Sequence, residues 1–423
     1  MNAPASLRWL IALSALAAVA AVAAAANGVE AASNLPAAQE NADNYDGAPP
    51  FAAPGPAFDA KKASGETIFL IPAPPQSQLL PSPAAMEGGI RQAAAAVGVK
   101  TLSCSNSGST AEWTACFKEA AARNVNAIVL VGGTEPAALQ PYVTVATNGG
   151  TDVIAAHVPD PSEFSGGLAA AYNADDAGLT AIVPAPYAEI GKLLADEVVV
   201  DRPNPVGRFV IFSSSDLAPS AGLLLSVQNE LAAVCGSACT VDTIDIPYSQ
   251  WKTAAIPAAE GAVLSKVTTT FIPLFDKMSG LLAEGVHDAR AVNPTATQPR
   301  IHTYGGTPDV IQMGQDNNRV EGVVAENMNW LGWATMDQVL RVLTGTKPVA
   351  SEKTGLQFID DDAWGAEGMG PEGWSFPPLL DQGWGDPRGD EGWITGYRKL
   401  WGLPGDSDGY QLSASAGGGG DDD

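Results

Sequence analysis

Residues 127–157, AIVLVGGTEPAALQPYVTVATNGGTDVIAAH, contain the pattern from which the fold is predicted. Residues 127–131 are apolar at every position, as expected of a strand that is buried on both faces of a parallel sheet. A helical segment follows, and residues 152–157 form the next predicted strand. This order of strand, helix and strand predicts a parallel β-α-β unit.

The same alternation of β-branched runs and amphipathic helical segments extends from residue 67 to residue 343. It predicts an α/β protein whose parallel sheets are covered by helices. The pattern breaks over residues 159–186, which are rich in Gly, Ala and Pro and which we interpret as a crossover between two lobes. The predicted strands are residues 67–71, 99–103, 127–131, 152–157, 208–213, 240–246, 268–273, 300–304 and 320–325.

The amino-terminal segment has the features of an export signal. Arg8 supplies a positive charge, residues 10–26 form an uncharged apolar run, and small residues follow. We therefore predict a signal peptide over residues 1–31 that is cleaved, and a periplasmic or secreted protein. An uncleaved membrane anchor is the alternative, although the run is short and rich in Ala. No Cys follows the run, which argues against a lipid anchor.

Residues 32–65 are rich in Ala, Pro, Asn and Gly and are predicted to be a flexible leader. The net charge of −25 makes the surface acidic. Such a surface repels phosphate backbones and anionic headgroups, so we predict neither a nucleic-acid partner nor a polybasic membrane contact.

Four cysteines fall into two close pairs, Cys104 with Cys116 and Cys235 with Cys239. In an oxidising compartment, local pairing into two disulfides is the natural inference. A metal site is the alternative, but the second pair would supply only two of the four ligands that a structural zinc needs. We therefore expect no metal. Residues 368–373 (GMGPEG) have the glycine spacing of a dinucleotide-binding motif, but they follow no predicted strand. We therefore expect no cofactor either.

The carboxy-terminal part has a different composition, since residues 351–423 contain five of the ten Trp and 17 of the 45 Gly. Trp side chains are costly to leave in water, so we predict that residues 351–402 lie as an irregular strap on the folded lobes. Residues 403–423, which end in an acidic Gly-rich run, are predicted to be a disordered tail.

A series of motifs along residues 66–350 resembles the type I periplasmic binding proteins, in particular the ribose-binding-like sugar receptors of ABC transporters. The ordered series is more specific than any one motif in it. It consists of residues 127–131 (AIVLV) with 135–139 (EPAAL), 148–150 (NGG), 268–276 (TTTFIPLFD) with Met278 and Gly280, 304–309 (YGGTPD), 326–332 with Asp337, 343–345 (LTG) and 397–401 (YRKLW).

The resemblance implies two doubly wound parallel-sheet lobes joined by three crossovers, with a small solute bound in the cleft between them. It implies closure of the lobes by hinge motion, a monomer, and delivery of the solute to a membrane permease. On this basis residues 66–158 and 276–304 are assigned to the first lobe, and residues 178–275 and 305–350 to the second.

Trp251 and Asp276 match an aromatic and a carboxylate that such receptors use in the cleft. Aromatic rings cover the apolar faces of a sugar, and planar polar groups satisfy its hydroxyls. Ordinary packing is the alternative for Trp251. For Asp276, which follows Phe275, the alternative is a helix N-terminal acid; both roles can hold at once.

Other positions depart from the family pattern. His157 stands where many sugar receptors have Asp, and it is either a hinge residue or a ligand contact. Gly305 replaces the usual Asp of its turn. Residues 216–222 lack the Arg that the family often places there, and the loss of that Arg disfavours a carboxylate ligand. Glu326 is either a buried partner or a contact. The remaining predicted ligand contacts are Gln76, Ser77, Ser214, Phe275 and Tyr304.

These observations favour an exported receptor that captures a sugar or polyol for an ABC importer. A sensory receptor lobe that signals to a membrane partner is a second hypothesis. An exported enzyme on the same scaffold is a third, and it is weakened because three His cannot easily build a zinc site and no Gly-x-Ser-x-Gly elbow is present. We therefore predict no catalytic residues.

Overall fold

The computed structural model describes residues 34–72, 82–106, 109–132, 136–163, 178–201, 207–217, 219–316, 319–360 and 392–404. Residues 34–43 form helix α1. The rest of the described chain builds two lobes, each organised around one β-sheet with helices packed against it.

The first lobe contains a five-stranded sheet in the order β2-β1-β3-β4-β5, and every pair of strands is parallel. Successive side chains point to opposite faces: Ile68 and Val129 pack into one apolar core, and Phe69 and Ile128 into another. Its elements are β1 (Thr67–Ile71), α2 (Ser82–Val97), β2 (Lys100–Ser103), α3 (Thr110–Ala122), β3 (Ala127–Leu130), α4 (Pro136–Asn148), β4 (Asp152–Pro159) and β5 (Ala181–Ala185).

The second lobe contains a six-stranded sheet in the order β11-β10-β9-β8-β6-β7, with β11 antiparallel to β10 and the other pairs parallel. Phe209, Phe212 and Phe271 are fully buried in its apolar core. Its elements begin with α5 (Tyr187–Val200), β6 (Gly207–Ser213), α6 (Pro219–Val234), β7 (Cys239–Asp245), α7 (Trp251–Ser265), β8 (Thr270–Pro273), α8 (Met278–Val292), β9 (Arg300–Gly305), α9 (Pro308–Gln315) and β10 (Val320–Glu326).

Between β1 and β11 the chain passes from one lobe to the other three times. It enters the second lobe after β5, returns to the first in α10 (Met328–Leu343), and enters the second again in β11 (Leu356–Asp360). This topology confirms the predicted pair of doubly wound lobes joined by three crossovers.

Glycines bring α10 into backbone contact with α2 of the first lobe. A Cβ on Gly89 would lie 2.4 Å from the carbonyl oxygen of Asn329, and a Cβ on Gly332 would lie 2.4 Å from the carbonyl oxygen of Met86. Any larger side chain would push the helices apart, so these two positions fix α10 on the first lobe.

The predicted assignment of segments to lobes is wrong in three places. Residues 276–304, assigned to the first lobe, contain α8 and most of β9, which belong to the second. Residues 181–185 form β5 of the first sheet, and residues 328–343 form α10 on the first lobe, although both were assigned to the second. Apolar periodicity identifies a strand or helix but does not say which sheet it joins.

The predicted flexible leader is also corrected, since residues 34–65 pack on both lobes. Ala38 of α1 is buried in the core of the second lobe. Residues 60–63 form a 3-10 helix whose Ala60 and Ala63 are buried in the first, where Phe51 also packs. The predicted signal peptide lies outside the described residues.

The predicted strap is more regular than expected where the structure describes it. Residues 356–360 form β11, and helix α11 (Trp393–Leu400) packs on α10. Trp333 stacks on Trp401 with ring centroids 5.4 Å apart, and Trp330 stacks on Trp393 at 6.3 Å. In α11, Trp393 and Trp401 thus hold the described part of this region on the first lobe. Residues 361–391 and 405–423 lie outside the described part of the chain.

The four cysteines form the two predicted local disulfides. Cys104 after β2 is bonded to Cys116 of α3, and Cys235 after α6 is bonded to Cys239 of β7; each pair of Cα atoms is 5.7 Å apart. Among the described residues, no group of three or more His, Cys, Asp and Glu side chains is arranged to hold a metal ion. None of the helices in this part of the chain has the length and apolarity needed to cross a membrane.

Candidate functional site

The carboxyl ends of strands from both sheets meet where the two lobes face each other. His157 lies near the end of β4 in the first sheet, and Glu326 is the last residue of β10 in the second. Their side chains are 2.8 Å apart, which places these two edges in contact. Open α/β sheets bind ligands at this edge, so the interlobe cleft is the candidate site.

His157 occupies a β-bulge that directs its ring toward the second lobe. The register between β4 and β5 shifts between Ala156 and Val158, and the φ angle of His157 is +55°. Positive φ is uncommon for residues that carry a Cβ, and bulges often re-aim a side chain near a functional site. The neighbouring Gly132 leaves room for this geometry, because a Cβ there would lie 3.1 Å from the Cβ of His157.

Four side chains from the two lobes form a hydrogen-bonded group that we name the interlobe cluster: His157, Tyr187, Tyr304 and Glu326. Oε2 of Glu326 lies 2.8 Å from Nε2 of His157 and accepts a hydrogen bond of 2.8 Å from the hydroxyl of Tyr304. The Tyr304 hydroxyl is also 3.2 Å from Nε2 of His157, and the Tyr187 hydroxyl is 3.4 Å from Nδ1.

The interlobe cluster is shielded from solvent. Tyr187, Tyr304 and Glu326 are buried, and His157 is only partly exposed. Burial, and then the charge of Glu326, raises the pKa of Tyr304 well above its usual value, so its hydroxyl stays protonated and donates. Oε1 of Glu326 is buried and has no hydrogen-bond partner in the described structure. Three predicted contacts, His157, Tyr304 and Glu326, thus lie together.

Tyr187 was not predicted. It is the first residue of α5, directly after the crossover at Pro186, and its ring meets that of His157 at an interplanar angle of 73°. Its position directly after the predicted crossover was the available signal, because a residue there can contact both lobes.

Asp276 is buried beneath the turn after β9. Its Oδ2 accepts hydrogen bonds from the backbone N–H of Thr307 at 2.7 Å and from the Thr307 hydroxyl at 2.6 Å. Burial raises the pKa of Asp276 to about 6, although these bonds act in the opposite direction. Gly305 has φ +144°, and a Cβ there would lie 2.5 Å from the Asp276 carboxyl carbon, which explains the glycine at this turn. The carboxylate holds the turn; a contact with a ligand stays a prediction.

Trp251 and Ser214 are fully buried inside the second lobe. Nε1 of Trp251 donates to Oγ of Ser214 at 2.7 Å, and that hydroxyl donates to the carbonyl oxygen of Ile246 at 2.8 Å. Phe275 packs against Trp251 with ring centroids 5.8 Å apart. The structure therefore gives Trp251 the packing role that was the alternative to cleft contact, and it gives Ser214 a structural bond.

Exposed polar groups at the carboxyl edge of the second sheet were missed in the sequence. Both carboxylate oxygens of Asp216, after β6, accept from the backbone N–H of Tyr248 at 3.0 Å. Asp245 at the end of β7 accepts from Ser213 and Ser215; although burial acts the other way, these bonds lower the pKa of Asp245. Asp216 and Asp245 lie at or just past the carboxyl ends of strands, where open α/β sheets bind ligands. This position was the signal in the sequence that could have identified them.

The first lobe contributes Glu163 and Asn106, which follow strands of the first sheet. Oε2 of Glu163, in the turn after β4, accepts from the backbone N–H of Ala188 in the first turn of α5 at 3.0 Å. Burial raises the pKa of Glu163 to about 7. Asn106, after β2, donates to the carbonyl oxygen of Pro72 at 3.0 Å. The predicted contacts Gln76 and Ser77 lie outside the described residues.

Several solved structures are similar to this arrangement of lobes. An ABC transporter solute-binding protein from Agrobacterium vitis with bound allitol has a TM-score of 0.56 at 16% identity, covering 71% of this chain and 96% of that one. One from Burkholderia graminis in complex with D-arabinose has a TM-score of 0.57 at 14% identity, covering 72% and 98%. A periplasmic ribose ABC transporter protein from Conexibacter woesei has a TM-score of 0.56 at 16% identity, covering 71% and 94%.

The chain has the fold of the type I periplasmic binding proteins. The likeness extends over almost the whole length of each neighbour, so both lobes and their order are shared. Neither a protein-family model nor a curated protein sequence matches the chain.

Proposed function

We propose that this protein is an exported solute-binding protein that captures a sugar or polyol in the interlobe cleft and delivers it to an ABC importer. The observation that carries the proposal is the interlobe cluster, which joins the carboxyl edges of two doubly wound sheets by hydrogen bonds between lobes. In this fold the ligand cleft opens between those two edges.

The chemistry at the edges supports a polyhydroxylated ligand. Asp216 and Asp245 expose carboxylate oxygens, which accept hydrogen bonds from hydroxyl groups. Tyr248, in contact with Trp251, adds a partly exposed aromatic ring. The structural neighbours with bound allitol and D-arabinose support the same class of ligand.

Export is part of the proposal. The signal-like segment over residues 1–31 supports a periplasmic or secreted location, and the two disulfides suit an oxidising compartment. The partner would be an ABC permease, and the protein would act by binding rather than by catalysis.

A thermal-shift screen of the purified chain tests the proposal. The panel contains allitol, D-arabinose, ribose and myo-inositol, with amino acids and dipeptides as other classes of solute. A ligand that binds only the folded state stabilises it by an amount that grows with the logarithm of ligand concentration above Kd, so at least one sugar or polyol is expected to raise Tm. A flat response to every sugar and polyol would contradict the proposal, as would a response confined to the amino acids.

A pair of carboxylate variants tests whether the ligand binds in the cleft. We expect Asp216→Asn to weaken binding of the best ligand by about tenfold or more, because a charged hydrogen-bond acceptor is lost. Glu119→Gln, on the outer helix α3 where Glu119 pairs with Arg123, is the matched control and is expected to leave Kd unchanged. Equal Kd values for both variants and the parent, measured by calorimetry, would argue against contact with Asp216.

A further inference from the structure

We propose that residues 45–58, which we name the interlobe brace, cross the hinge as a fourth connection and limit how far the lobes separate. The consequence for solute capture rests on the function proposed above, because a protein that opens less widely needs less reorganisation to enclose a solute. The brace itself is a property of the empty protein. It is therefore tested without any ligand.

The chain is attached to the second lobe before it reaches the hinge. Ala38 of α1 is buried in the core of that lobe, and the hydroxyl of Tyr45 donates to Glu189 of α5. The carbonyl oxygen of Tyr45 accepts a hydrogen bond of 2.9 Å from the backbone N–H of Phe358 in β11. Ala48 packs against the same core. The second lobe therefore holds the chain as far as Ala48.

The attachment to the first lobe begins three residues later. The Phe51 ring lies against Trp330 of α10, with ring centroids 6.4 Å apart. The backbone N–H of Phe58 donates to the carbonyl oxygen of Leu400 in α11 at 2.9 Å. The guanidinium carbon of the buried Arg341 lies 4.8 Å from the centroid of the Phe58 ring. Aromatic and backbone contacts thus hold the chain on this lobe from Phe51 onward.

Only Pro49 and Pro50 separate the two attachments. Three residue steps from Ala48 to Phe51 span at most about 10–11 Å when fully extended. The two proline rings also fix their φ angles, which makes the link stiff. A larger separation of the lobes at this place therefore requires one of the two attachments to detach.

The brace crosses the junction beside the third crossover, residues 344–355. A Cβ on Gly355 would lie 2.3 Å from the Cβ of Pro49, so a glycine is needed for this close approach. Nζ of Lys353 donates to the carbonyl oxygen of Ala53 at 3.1 Å. Because the two segments contact each other along the hinge, a movement that bends one of them must also move the other.

Two variants loosen the link and keep every attachment. An insertion of about eight Gly and Ser residues between Pro49 and Pro50 makes the link long and flexible. Replacement of both residues, Pro49→Gly with Pro50→Gly, keeps the length and removes the stiffness. Proline has no backbone N–H, so neither variant removes a hydrogen-bond donor.

The matched control is the same insertion after Asn124. This residue lies in the exposed turn between α3 and β3, two elements of the first lobe. The control therefore lengthens the chain equally without touching a connection between the lobes. A thermal unfolding curve for each variant shows that it is folded.

The test measures the distance between lobes with paramagnetic labels. Val145 on α4 and Val292 on α8 are each 72% exposed, so cysteines at both positions accept labels. The four native cysteines are in disulfides and do not compete. Double electron–electron resonance on the ligand-free protein gives the ratio of molecules with separated lobes to molecules with the lobes in contact.

We expect that ratio to be at least about fivefold higher in the insertion variant than in the parent, which is the lower end of usual coupling between sites. The proline variant is expected to shift the ratio in the same direction, and the control insertion is expected to match the parent. If the insertion variant does not fold, the proline variant decides, because its chain length is unchanged.

Two results would overturn the brace: link variants with the distance distribution of the parent, or a control insertion that shifts the distribution as much as the insertion in the link. Neither result depends on solute binding. A protein that binds no sugar can still be braced, and a protein without a brace can still bind one. The brace and the proposed function therefore fail separately.

Discussion

Trp401 and Asp337 show what a single buried hydrogen bond contributes to this molecule. Nε1 of Trp401 donates to Oδ1 of Asp337 at 2.6 Å, and both side chains are fully buried. Asp337 also accepts from Nε of Arg341. The bond joins α11 to α10, and so ties the end of the described chain to the first lobe.

We predict that Trp401→Phe lowers the free energy of unfolding by about 1–3 kcal/mol, because Oδ1 of Asp337 loses a donor where water does not reach. Urea denaturation measures the change. Trp113→Phe is the matched control, since Nε1 of Trp113 is buried without a hydrogen-bond partner in the described structure and its removal breaks no bond. Equal losses in both variants would mean that the bond is not the cause.

Glu197 makes stability depend on pH. It is buried in α5, and burial, followed by repulsion from Asp360 and other acids, raises its pKa to about 9. The folded state therefore holds this proton more tightly than the unfolded state, and stability is lost as pH rises from the unfolded pKa of about 4.3 towards 9.

We predict that Glu197→Gln is more stable than the parent and that the difference grows as pH rises through this window. Urea midpoints at a series of pH values measure it. Glu284→Gln, on the exposed face of α8, is the control and should follow the parent at every pH. A constant difference between Glu197→Gln and the parent would show that Glu197 is not protonated when folded.

Residue roles were harder to predict than residue positions. His157, Tyr304 and Glu326 were named as candidates from their positions in the family pattern, each at or directly after the end of a predicted strand, and the structure brings them together. Trp251 follows a strand equally well, yet its ring is fully buried. Strand order locates the edge of the sheet, whereas the direction of each side chain depends on local turns and on the bulge at His157, which no sequence pattern marks.

At the scale of elements, the contact of α2 with α10 depends on two adjacent positions. Gly88 and Gly89 lie side by side on α2, but a Cβ on Gly88 would meet nothing within 4 Å, whereas a Cβ on Gly89 would lie 2.4 Å from the carbonyl oxygen of Asn329. Their surroundings therefore predict opposite effects of the same substitution.

We predict that Gly89→Ala destabilises the protein by about 1–3 kcal/mol through overpacking. Gly88→Ala should stabilise it by up to about 1 kcal/mol, because Ala favours the helix and meets no obstacle. Thermal unfolding of the two variants beside the parent measures both effects. Destabilisation by Gly88→Ala of the same size would contradict the proposed close approach of α10.

The strands predicted from apolar runs agree with the observed strands to within two residues, as for residues 268–273 and β8 (Thr270–Pro273). Two strands were missed. β5 contains Pro184, which weakens the strand pattern, and β11 is a short antiparallel edge strand in a region read as irregular. Both lie next to crossovers, where the regular alternation of strand and helix fails.

At the scale of the whole molecule, segments from both ends of the described chain cover the lobes. α1 hydrogen-bonds to the second lobe, with Asn41 donating to Asp196 of α5 at 2.7 Å. Phe51 packs edge-on against Tyr397 of α11 with ring centroids 5.0 Å apart. The two-lobed fold and its class were predictable from the repeated alternation of strand and helix. This outer layer was not predictable, because its composition resembles that of a flexible linker.

In the proposed function, the two lobes enclose one sugar or polyol. Titration calorimetry of the purified chain against allitol, D-arabinose and ribose measures this binding without a label. We predict a saturable heat for at least one of them, with one solute bound per chain and weaker binding in Asp216→Asn. No saturable heat for any sugar or polyol, in a protein shown to be folded, would contradict it.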